Sequence, residues 1–219
     1  MGMFSGTLCK IGKREHMVSL QDGFVYLKTL KWFWETEDDG LRGDKLDCVD
    51  RMANGVHMGM RDASGKVVPV KVTSWTLQER TAEPERINLF CMYAIHRDPN
   101  SASIDMRVME FGDTALIITN LGEFLNRIKR AALETDRLSH ADLVNYVPTD
   151  YIGDVGLFTK TEPFKYQSEW RLAIQDGPGE PMTLNIGSLA GISQLIRSED
   201  LNDFVDEFRS GALDADPTA

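Results

Sequence analysis

Histidine and cysteine are scarce in this chain, four and three among 219 residues, and their placement excludes more than their number. His16, His57, His96 and His140 form no i, i+4 pair on a helix, so a histidine-built zinc site is not expected. Cys9, Cys48 and Cys91 are odd in number and far apart, with no CxxC pair, and read as reduced thiols, Cys9 and Cys91 within strands. The phosphate-binding GxxxxGK[ST] loop, the GxGxxG dinucleotide fingerprint, the GxSxG nucleophile elbow and HExxH are all missing, which removes the simplest enzyme classes. Apolar runs such as 115–118 are far too short to cross a bilayer. No charged and apolar leader opens residues 1–6, so the expectation is a cytoplasmic protein.

Positive charge is also in deficit. Twenty-four Lys and Arg stand against 34 Asp and Glu, a formal net charge of −10, which argues against a grip on nucleic-acid phosphates over the whole surface. Local basic groups remain at Lys10, Lys13 and Arg14, and at Arg127, Lys129 and Arg130; both read as solvated faces. What is present, 42% hydrophobic and 26% charged residues, is ordinary for a globular chain. The length suits one domain over 1–209 with a small, polar tail over 210–219.

Hydrophobic periodicity predicts a strand over 7–12, a short helix over 15–20, a turn at Asp22 and Gly23, and a strand over 24–27. Thr29 suits the cap of a segment whose Trp32, Phe33 and Trp34 are expected to be largely buried. Residues 35–50 form an acidic, glycine-punctuated loop. A hairpin pairs 56–60 with 67–72, Pro69 keeping the second strand at an edge. Residues 87–95 are the most apolar stretch and read as a central strand, followed by strands over 104–111 and 114–118. Asn120, with Glu123 three residues on, caps a helix over 121–133 whose Leu121, Phe124, Leu125, Ile128, Ala131 and Ala132 share one face. Strands over 143–147, 155–158, 169–174 and 182–186 and a helix over 200–208 complete the chain. Many strands, few helices and no βαβ alternation predict an α+β fold, a mostly antiparallel mixed sheet with two or three helices.

Glu169 is the residue on which chemistry turns. Strand alternation puts Trp170, Leu172 and Ile174 on one face and Glu169, Arg171 and Ala173 on the other. A Glu with Arg two residues later is commonly a rim salt bridge of small value. Flanked by Tyr166 and Trp170, the same carboxylate can instead be desolvated and tuned for chemistry. The acidic loop reads first as a solvated face. Carboxylates and loop carbonyls are also what a hard divalent cation takes, and with such an ion Glu169 would complete a metal-dependent nuclease.

Two resemblances bear on these residues. Gly23, Phe24, Val25, Tyr26 and Leu27, then Leu89, Phe90, Cys91, Met92 and Tyr93, then the run from Phe164 through Glu169, Trp170 and Arg171 resemble a family of uncharacterised bacterial and phage proteins with a late Glu-Trp/Tyr-Arg motif. Some members of that family sit among phage-resistance genes, which implies a phage-defence role. The order of a strand bearing Lys10, a short helix, Gly23 and a strand bearing Tyr26, and a late strand opened by Glu169 is similar in outline to ADP-ribosyltransferases. That resemblance implies NAD as substrate, with Lys10 where Arg or His holds NAD, Tyr26 near the nicotinamide, and Glu169 as the catalytic carboxylate. Trp170 and Arg171 are expected to line the same site. A Lys at the first position lacks the planar fork of Arg. The reading from another class is a non-catalytic module that binds a protein through Trp170 and the acidic loop.

Overall fold

The structure, a computed structural model, describes residues 4–36, 48–55, 58–70 and 75–211. Most of the acidic loop, 37–47, and the tail, 212–219, lie outside the described residues.

Strand β1 (Gly6–Gly12) leads into helix α1 (Arg14–Gln21), which buries Met17 and Leu20. The turn closes on Gly23 at φ 101°, where a Cβ would meet the Gly187 carbonyl oxygen at 2.4 Å, so only glycine fits. Strand β2 (Phe24–Thr29) alternates cleanly: Val25 and Leu27 are buried while Phe24 and Tyr26 are exposed. Thr29 caps helix α2 (Leu30–Glu35), its hydroxyl oxygen accepting from the Trp32 N–H at 3.2 Å. Leu30 is fully buried, but Trp32, Phe33 and Trp34 are only half-buried, because two of them, Trp32 and Phe33, form the wall of a cleft.

The next segment builds small sheets outside the main one. Strand β3 (Arg51–Gly55), directly after the region read as loop, pairs with β6 (Trp75–Glu79). The expected hairpin is β4 (Met58–Arg61) against β5 (Val67–Val70), with Pro69 opposite Gly59. The apolar run becomes β7 (Asn88–His96). Residues 104–111, expected as a strand, instead contain a 3₁₀ turn over Met106–Phe111, opened by the Asp105 carboxylate accepting from the Arg107 N–H. Beyond it lie β8 (Thr114–Ile118) and helix α3 (Leu121–Leu133), capped by Asn120 accepting from the Glu123 N–H at 3.0 Å. The chain then makes β9 (Ser139–Leu143), β10 (Asn145–Val147), β11 (Gly153–Asp154) and β12 (Thr159–Thr161). It ends with β13 (Glu169–Ile174), β14 (Met182–Asn185), β15 (Ser193–Arg197) and helix α4 (Leu201–Ser210). The strands expected at 143–147 and 155–158 are thus redistributed into short pieces, and β15 arises where polar Ser193, Gln194 and Arg197 masked its apolar members.

The fold is α+β, built on an eight-stranded antiparallel sheet that branches at β7. One edge of β7 is covered by β13 from Asn88 to Tyr93, and β13 in turn pairs with β9. The other edge is shared: β1 pairs from Tyr93 to His96, while β2 pairs only at Asn88 and Leu89. Neither strand faces 90–92 on that edge. From the branch, one arm runs β1, β8, β15 and the other β2, β14. Leu8, Leu27, Phe90, Leu172 and Ile174 form the main core with α3, each fully buried large apolar side chain contributing roughly 1.5–3 kcal/mol. A second core lies under β1 and β8, closed by α4 through Leu201 and Val205.

Candidate functional site

The gap opposite 90–92 opens a cleft of about 710 Å³. Lys10 comes from β1, Tyr26 and Lys28 from β2, Cys91 from β7, and Glu169 and Arg171 from β13. Four of the five residues singled out in the sequence, Lys10, Tyr26, Glu169 and Arg171, therefore line one concavity. Trp170 does not. Alternation turns it to the opposite face of β13, into the main core, where its ring centroid lies 6.3 Å from that of Phe124.

Glu169 and Arg171 stand two residues apart on one strand face, where side chains meet. The Arg171 Nε donates to Glu169 Oε1 at 2.7 Å, and Lys160 Nζ donates to Glu169 Oε2 at 2.8 Å. Lys160 is delivered by β12, held parallel to β10 with Lys160 opposite Tyr146. A 3₁₀ turn over Glu162–Gln167 then folds back so that Gln167 Oε1 accepts from the same ammonium at 2.6 Å. Arg171 also donates from Nη1 to the Leu157 carbonyl at 2.6 Å and lies against the Cys48 sulfur. The Glu169 backbone N–H donates to the Tyr146 hydroxyl at 3.0 Å. All three charged residues are buried, Arg171 being 1% exposed. This is an enclosed ion triad and not the rim salt bridge that the spacing alone suggests.

Burial by itself would push the Glu169 carboxyl up, but Arg171 first and Lys160 second overcome it and hold the group well below the usual carboxylate range. Burial and the Glu169 charge together push the neighbouring Cys91 thiol up to about 12. The same two causes raise the Tyr146 hydroxyl above its ordinary value. Glu169 is thus a fixed anion among groups kept protonated.

Lys10 has a different position from the one its resemblance implies. By register it lies on the face of Leu8 and Phe90, opposite to that of Glu169. Its ammonium reaches into the gap, donating to the Cys91 carbonyl at 2.5 Å and lying 5.1 Å from the Phe90 ring centroid. It supplies a donor on the edge of β7 where neither β1 nor β2 faces Cys91. On β2 the Lys28 ammonium sits 3.1 Å from the Trp32 ring centroid, a cation–π contact at the cleft wall.

Sequence reasoning missed Lys160, Gln167 and Tyr146. Lys160 lies nine residues before its partner across a turn, and no periodicity links the two. Among the described residues the cleft is lined by Lys10, Lys13, Lys28, Lys160 and Arg171 and by a single carboxylate, Glu169. It is a cationic concavity in an acidic chain. Among the described residues no group of three His, Cys, Asp or Glu side chains could hold a metal ion, and most of the acidic loop falls outside them. Among the described residues, too, no helix is long and apolar enough to cross a membrane. In comparisons with known proteins, no family model, no curated protein and no solved structure matches the chain.

Proposed function

We propose that the protein is an NAD-using enzyme of the ADP-ribosyltransferase kind, acting in the cytoplasm as a phage-defence effector. The observation that carries this reading is that Lys10, Tyr26, Glu169 and Arg171, from three separated parts of the chain, line one cleft. Its volume falls within the range of roughly 300–1,000 Å³ usual for small-ligand sites. Its cations suit a diphosphate, and exposed Tyr26 suits the face of a ring. Cleaving NAD breaks the bond between the ribose C1′ and the nicotinamide nitrogen. The electron pair leaves with nicotinamide, positive charge develops on the ribose, and C1′ then bonds to water or to a nucleophilic side chain of an acceptor, which gives up its proton to solvent. A preorganised, ionised carboxylate stabilises that charge with no metal or histidine required, and Glu169 is held in that state.

Release of nicotinamide from NAD tests the reading. Glu169→Gln is expected to lower it about a hundredfold or more, and equal, negligible release from wild type and variant removes the enzyme. Because Glu169→Gln also strips two buried cations of their partner, exposed Tyr26→Ala serves as the companion variant, expected to raise KM in a folded protein. A binding-only function is favoured by one observation: both Glu169 oxygens are already occupied by Lys160 and Arg171. NAD binding without nicotinamide release would select it.

A further inference from the structure

We propose that the exposed face of β2 and β14 is a platform for single-stranded nucleic acid. Phe24 and Tyr26 are 46% and 53% exposed, although Val25 and Leu27 between and beside them are fully buried. Side chains two apart on a strand stand about 6.7 Å apart on one face, which leaves room for one base against each ring. Across the β2–β14 pairing Asn185 stands opposite Phe24 and Thr183 opposite Tyr26, both exposed and polar, suited to the edges of stacked bases.

Positive charge runs beside these rings. Lys28 follows on the same strand face, and Lys13, the residue before α1, lines the same cleft. The one described carboxylate of the lining, Glu169, is already matched by Lys160 and Arg171. Aromatic faces interleaved with cations are how single strands are held, because every base has a face to stack and every phosphate a charge. A duplex keeps its bases stacked inside and cannot use Phe24 or Tyr26. The net charge of −10 confines attraction to this cleft and makes it salt-sensitive. The inference goes beyond NAD turnover and shares with it the cleft and Tyr26.

Fluorescence anisotropy with labelled oligo(dT) of about twelve nucleotides, and with a duplex of equal length, tests the platform at about 50 and 200 mM salt. Saturable binding of the single strand and not the duplex is expected. Phe24→Ala should weaken it about tenfold, Phe24→Tyr should restore it, and Lys13→Gln should reduce the salt slope by about 0.7. No binding up to about 100 μM at the lower salt, equal binding of the duplex, or a folded Phe24→Ala that binds like wild type overturns the proposal. Nicotinamide release is followed in the same preparations without oligonucleotide. Strand binding with no release supports the platform and removes NAD turnover, whereas release with no strand binding overturns the platform alone.

Discussion

At the scale of single residues, the buried triad makes measurable demands. Replacing Glu169 by Gln leaves Lys160 and Arg171 enclosed without their counter-charge, a change expected to cost about 3–5 kcal/mol in urea unfolding at pH 7. Because the folded carboxyl titrates below its ordinary value of 4.5, its stabilisation is fully present above that value and is lost as pH falls below it. The stability gap between wild type and Glu169→Gln should therefore be level from about pH 6 to 8 and shrink in acid below about pH 4.5. A gap that instead narrows towards pH 8 would contradict an ionised Glu169. Cys91 reports its burial first and the Glu169 charge second. With its thiol pushed up to about 12, alkylation by iodoacetamide at pH 8 should be about a hundredfold slower, or more, than for a free thiol, followed by mass spectrometry. Rapid modification of native protein would show that the Cys91 thiol is not held protonated by its burial and the Glu169 charge.

At the scale of elements, the candidate site depends on a tight turn that fixes the start of β2. Gly23 lets β2 leave α1 with its backbone against Gly187, so Gly23→Ala must move both segments and adopt a left-handed φ. A loss of about 1–3 kcal/mol is expected, together with a weakened cleft, since Tyr26 and Lys28 ride on β2. Unchanged thermal stability and ligand affinity would refute the tie. Asn120 is a local device by contrast. Asn120→Ala removes the cap of α3 and should cost about 1 kcal/mol by chemical denaturation while leaving the cleft untouched, as α3 packs on the opposite face behind Trp170. The element-level surprise is β12, only Thr159–Thr161 long, which carries the buried Lys160. So short a strand is held by its pairing to β10 and by the ion triad, and nothing in its own three residues announces it.

At the scale of the whole molecule, the branch at β7 is what opens a cleft in an otherwise continuous sheet. Ligand bound there stabilises the native state alone, so NAD at a hundred times its Kd should add about 2.7 kcal/mol, read as a rise in Tm that Tyr26→Ala diminishes. An unmoved melting curve at millimolar NAD would weigh against the NAD reading. Much was legible in the chain before folding was considered. Alternation assigned Trp170, Leu172 and Ile174 to the core and Glu169 and Arg171 to the other face, as found. Helical spacing and the Asn120 cap placed α3 to the residue. The apolar run at 87–95 proved central because a strand buried on both faces shows few polar positions, here Asn88. Such features depend on side-chain period and local hydrogen bonding, which travel with the sequence. Tertiary structure alone decided that β1 and β2 part along β7, that Lys10 fills the gap from the other face, and that Lys160 closes on Glu169 to make a buried triad. Those outcomes depend on which strands become neighbours and on charges meeting across turns and sheets, quantities that no local period encodes.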